Sequence, residues 1–222
     1  GEKRVDETII KFGELESLLK EVGTTNTELK KFLEKFIELE SKRLEISEAK
    51  LRDEFLRKDR RDEIFAEFSP ALKEYILRLK NLKTNFEMSF ELAFVSDSSV
   101  EHLNRAIRAY NPSFDLIYNN QNKWLNEIKS AWNEVLSENF VTQVNYMIDE
   151  VHTPYVLQLN ECLKILNEIR LKLIRDDEKK EELKREVRIK VSEIMNNLVI
   201  KIPILEKRFN ELLSRLQHSE IN

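Results

Sequence analysis

The stretch LNEIKSAWNEVLSENFVTQVNYMIDEV, residues 125–151, decides the fold class. Its apolar side chains Leu125, Ile128, Trp132, Val135, Leu136, Phe140, Val144, Met147 and Val151 recur in steps of three and four, with a single step of one. Such steps gather them on one face of an α-helix, and a stripe that wide has to be buried. Trp132, Phe140 and Met147 are expected in the core. Beyond Thr153-Pro154 a second stripe follows through Tyr155, Leu159, Cys162, Leu166, Ile169 and Leu173. Its heptad steps suit a helix packed along its length against neighbours. Pro154 removes a backbone donor, so the reading there is a kink in one long helix or a break.

Composition agrees with helices throughout. The 222 residues include three glycines and four prolines, too few for the turns of an all-β or α/β fold. Charged residues make up 35% and the net charge is −4, which lacks the basic excess of a nucleic-acid binder. Twelve phenylalanines are more than a bare two-stranded coiled coil uses in its seam. The single cysteine, Cys162, excludes an intrachain disulfide and a multi-cysteine metal site, and reads as a small core residue.

Working outward, residues 2–22 form a first amphipathic pattern, closed by Gly23 as a C-terminal cap. Thr25 with Glu28 matches a capping box for a long helix over residues 27–68. Its second half changes character: of the 23 residues 41–63, 15 are charged. Ser69-Pro70 predicts a kink or a fresh start, followed by a broadly apolar helix over 71–94. Ser98 with Glu101 forms another capping box, opening a short helix expected to end before Asn111-Pro112. Residues 175–190 are again charge-rich, 13 of 16. The last helix carries Val187, Val191, Ile194, Leu198, Ile202, Leu205, Phe209, Leu212 and Leu216, with Pro203 expected to bend it.

The fold class expected is all-α: an elongated bundle of six or seven helices, with long proline-kinked members. The chain reads as a single domain, with its core mainly in 5–40, 70–173 and 191–216. The segments 41–63 and 175–190 are expected to pair as one antiparallel, coiled-coil-like charged arm.

Catalytic, cofactor and metal motifs are not found. Asp149 with His152 is one pair with the wrong acid for a di-iron bundle, and the three histidines read as surface or capping residues. Two stretches are candidate interaction surfaces. One is basic: Arg57, Lys58, Arg60 and Arg61. The other is aromatic with interleaved asparagines: Tyr110, Phe114, Tyr118 and Trp124.

The function expected is a non-catalytic helical scaffold or protein–protein interaction module, with no cofactor and with protein partners, a second copy among them. Long proline-bearing helices in a chain of this length resemble, by architecture alone, BAR-type curvature-sensing dimers, which implies a membrane surface as the alternative partner. A further alternative is an extracytoplasmic sensor or anchored ectodomain. The cytoplasm is the favoured compartment. Gly1 in place of Met leads to the expectation of a trimmed chain whose signal, lipid anchor or membrane segment has been removed.

Overall fold

The computed structural model describes residues 2–22 and 27–218. Gly23 and the Thr25/Glu28 capping box lie at or across the boundary of that set, so the expected cap is outside the described residues. Among the described residues eight α-helices follow in order: α1 (Glu2–Val22), α2 (Thr27–Leu44), α3 (Glu48–Ser89), α4 (Asp97–Asn119), α5 (Gln121–Lys129), α6 (Glu134–Val151), α7 (Leu157–Arg170) and α8 (Asp177–Gln217). A 3₁₀ turn, Glu91–Phe94, precedes α4. A π-helical turn, His152–Val156, joins α6 to α7. Counting α6 and α7 as one helix through that turn gives seven. Among the described residues there are no strands, so the chain is all-α.

The expected helix over 27–68 is broken, because the chain turns at Glu45. Glu45 takes a positive φ of 58°. Its amide bonds the Lys42 carbonyl at 3.3 Å and the Ile46 amide bonds Ser41 at 3.1 Å. That pair of bonds is a Schellman closure, in which a glutamate occupies the left-handed position usually given to glycine. Ser47 then caps α3, accepting from the Lys50 amide at 3.2 Å. Lys172, with φ 56°, closes α7 in the same way through Leu173 to Glu168 at 3.1 Å.

Proline stops fewer helices than expected. Pro70, Pro112 and Pro203 all sit inside α-helices, so α3 continues to Ser89 and α4 to Asn119. An interior proline costs a helix about 3 kcal/mol. The apolar faces on both sides outweigh it: Phe68 and Leu72 around Pro70, Tyr110 and Phe114 around Pro112. The α4 N-cap is Ser96, not Ser98, and the two hydroxyls bond each other at 2.9 Å.

The deciding stretch is itself divided. Residues 130–133 interrupt it, and Asn133 starts α6 by accepting from the Leu136 amide at 2.7 Å. The restart shifts the helical phase, which puts Val135 outside at 79% exposure while Trp132, Phe140 and Met147 are buried. All nine apolar positions of the last helix are buried.

Helices α3 and α8 run antiparallel along the main core. Lys80 pairs with Glu206 at 2.8 Å, and Glu91 with Arg188 at 3.2 Å. That register overturns the expected charged arm, because it sets residues 48–63 and 177–190 at opposite ends of α3, whose 42 residues span about 63 Å at ~1.5 Å each. The α8 segment packs on the 3₁₀ turn, with Val187 in the main core and the Arg188 guanidinium 4.4 Å from the Phe94 ring centre. The α3 segment instead packs on α1 and α2, where Ile9, Ile37, Leu51 and Phe55 form a second, small core. Each charged segment keeps enough apolar residues to join the nearest core, and neither needs the other.

Cys162 is buried in the main core, and burial pushes its thiol up to about 11. At neutral pH it is a closed-off thiol, not a thiolate. Dithionitrobenzoate should leave it unmodified over hours in the native state and titrate it fully after denaturation. Rapid native labelling would place it at the surface.

Candidate functional site

The second core is small because α1, α2 and the start of α3 make only three walls. Between α1 and α2 a buried threonine is fully used: Thr8 donates to Glu40 at 3.1 Å and accepts from Arg43 at 3.1 Å, while Arg43 also bonds Glu40 at 2.6 Å. That contact, with Arg43 first among the causes, holds the Glu40 carboxyl below its ordinary range. Arg52 pairs with Glu34 and ties α3 to α2.

The open side lies between α1 and α3. There a groove of about 780 Å³ runs from Ile9 to Leu18 on one wall and from Phe55 to Glu63 on the other. Phe12 and Phe55 stack in it, 4.0 Å apart and 7° from parallel. Ile10 and Leu18 remain 50% and 56% exposed. Gly13 adds to the opening, since no atom lies within 4 Å of where its Cβ would stand. Its rim is acidic: Glu14 and Glu16 on α1, Asp59, Asp62 and Glu63 on α3.

Near this groove the α1–α3 contact holds a poorly placed charge. Glu54 is buried and its Oε2 has no hydrogen-bond partner. Burial raises its pKa above the ordinary 4.5 and Asp6 adds to that, while Lys50, Arg57 and Arg61 oppose it. A carboxyl with a raised folded-state pKa stabilises the fold at low pH, and that stability is lost as pH rises from 4.5 through the folded value. Glu54→Gln should therefore raise stability by about 1 kcal/mol at neutral pH and by nearly nothing near pH ~4. Urea unfolding at both pH values tests it; a gain that does not change with pH would clear Glu54.

The sequence-predicted site residues do not assemble into one surface. Lys58 bonds Asp62 at 3.1 Å and Arg60 bonds Glu63 at 3.3 Å. Arg61 turns inward, donating to the Ala131 carbonyl at 2.8 Å with its guanidinium 5.5 Å from the Trp132 ring centre. Arg57 is exposed. Ion pairs thus engage Lys58 and Arg60 and the α5–α6 turn engages Arg61, so the four cations do not form one basic surface. Of the aromatics, Tyr110, Phe114 and Trp124 are core residues, which corrects their reading as a surface. Trp124 packs on Phe68 with ring centres 4.2 Å apart. Only Tyr118, at 43%, faces solvent.

Tyr110 belongs to a buried chain that the sequence did not reveal. Its hydroxyl lies 3.0 Å from that of Tyr75 and 3.1 Å from His152 Nδ1. The His152 ring stacks on Phe114 at 3.5 Å, 6° from parallel. His152 is thus a half-buried core residue, not the surface or capping residue expected of it. Burial raises the pKa of both tyrosines. Burial also lowers that of His152, against the pull of Asp149 and Asp115. A neutral imidazole accepting from Tyr110, which accepts from Tyr75, leaves none of the three atoms unpaired. The site is a structural polar network opening the π turn.

The groove was missed as well, though α1 carries a signal for it. Ile9 and Ile10 are adjacent and stand about 100° apart around the helix, so covering both takes a wide packed face, and with few neighbours α1 buries Ile9 and leaves Ile10 half exposed.

Among the described residues, no group of three or more His, Cys, Asp or Glu could hold a metal ion, and no helix is long and apolar enough to cross a membrane. Comparison of the chain with protein-family models, curated proteins and solved structures finds no match.

Proposed function

We propose that this chain is a non-catalytic helical scaffold that works by binding another protein. The observation that carries this reading is the α1–α3 groove: a three-walled helical unit with four buried apolar residues and an open, partly aromatic side. Ile10 and Leu18 stand half exposed along that side, so the unit does not close over its own apolar residues. Surface area supports it too. The chain exposes 13626 Å², against about 10,700 Å² for a compact monomer of its mass. Excess surface is what an extended scaffold presents, and small-angle scattering should return a radius of gyration above the ~17 Å of a compact domain this long.

The membrane-surface alternative draws less support. Lys58 and Arg60 have acidic partners, Arg61 is turned inward, and the α1–α3 groove has an acidic rim. Anionic lipid attracts the opposite arrangement. The test uses the chain as bait, identifies what it retains, and titrates each purified candidate by calorimetry. At least one saturable, stoichiometric protein partner is expected. Retention on anionic vesicles at low salt, with no protein partner, would replace this reading with the membrane one.

A further inference from the structure

We propose that the α1–α3 groove seats an amphipathic α-helix of a partner protein whose flanks carry lysine or arginine, an inference that rests on the interaction-module reading. Three features of the groove point to that occupant. Its walls run from Ile9 to Leu18 on α1 and from Phe55 to Glu63 on α3, about 12 to 14 Å at ~1.5 Å per residue. That length takes two to three turns of a helix and the two or three apolar anchors those turns carry. Phe12, Phe55, Ile10 and Leu18 offer the anchors an apolar bed, and the space beside Gly13 lets a neighbouring helix come close.

The rim then selects the partner's charge. Five acidic residues border the groove against one basic residue, Lys58, which already pairs with Asp62. Arg60, just outside, serves Glu63. The net field over the opening is negative, so it attracts cationic flanks and opposes acidic ones. An anionic headgroup or nucleic acid meets repulsion at the same rim.

The probes are two synthetic helices of about 16 residues with the same leucine face, one flanked by lysine and one by glutamate. Binding to the full chain is followed by fluorescence anisotropy at about 50 and about 300 mM salt. The lysine peptide should bind at least ~10-fold tighter at low salt, with the gap closing at high salt. Leu18→Glu should weaken it ~10-fold or more by placing a charge in the bed. The double variant Glu14→Lys with Asp59→Lys alters two exposed positions, leaves the core untouched, brings the acids and bases of the rim to equal number, and should abolish the preference.

Equal affinity of the wild type for the two peptides, or indifference to both variants, would overturn the proposal. So would a dimer of this chain that Leu18→Glu dissociates, since a second copy would then occupy the groove. A natural partner bound equally well by wild type and both variants would overturn the groove assignment while leaving the interaction-module reading standing. Absence of any partner removes that reading instead.

Discussion

Trp132→Ala should lower the unfolding free energy by about 3 to 5 kcal/mol, the range for emptying a buried aromatic site. The indole is buried in the main core and serves three elements at once. It lies in the α5–α6 turn, under the Arg61 guanidinium of α3, and its Nε1 donates to the Leu216 carbonyl at 3.0 Å. Leu216 belongs to the last turn of α8, so this bond ties the α5–α6 turn to the end of that helix. Removing the indole empties a site, breaks the tie to α8 and takes the ring from under Arg61. Trp132→Phe keeps most of the volume and loses the donor, so it should cost about 1 to 3 kcal/mol. Denaturant titration of the pair separates volume from hydrogen bond. A wild-type midpoint for the alanine variant would mean that the turn does not hold α8.

Tyr110→Ala should be of the same size, about 3 to 5 kcal/mol, because a fully buried ring leaves contacts with Tyr75, Phe114 and His152. Tyr110→Phe is the sharper variant. It keeps the ring and strands the Tyr75 hydroxyl and His152 Nδ1, so the expected loss is about 1 to 3 kcal/mol. The pH dependence carries a sign. His152 has its folded-state pKa below the ordinary 6.5, so the unfolded chain takes the proton first. Stability from this group is whole above 6.5 and falls as pH drops through the lower, folded value. With Tyr110→Phe the imidazole loses its hydroxyl partner, and that acid-side slope should change. Proton titration of His152 by NMR checks it; an unchanged titration would disconnect the two residues.

How far the chain could be read varies with the signal each part carries. The burial of the nine stripe positions read in α8, and of Trp132, Phe140 and Met147, follows from periodicity, since one apolar stripe has one way to be covered. The breaks were harder. Glu45 and Lys172 end helices in the conformation that glycine usually marks, and a charged residue there gives no sequence warning. Proline misled in the other direction at position 112, where a helix expected to stop runs on to Asn119, held by packing that propensity does not see. Pairing of the charged segments failed because it depends on the register of α3 against α8, a long-range property. Tyr75, Tyr110 and His152 lie 35 and 42 residues apart in sequence, and no local pattern brings them together.

The two hydrophobic cores are joined by α3 without interruption. Phe55 closes the small core and Ile64 opens the large one, so the seam between them is about two helical turns of charged residues. Adjacent folding units more often meet at a flexible linker, where each can turn independently and a protease can enter. Here the seam has no slack, and the exposed junction at residues 45–47 lies to one side of it. A load applied to α1 or α2 therefore reaches the main bundle as a lever arm would deliver it, as tilt and torque on α3, and is not absorbed by a tether.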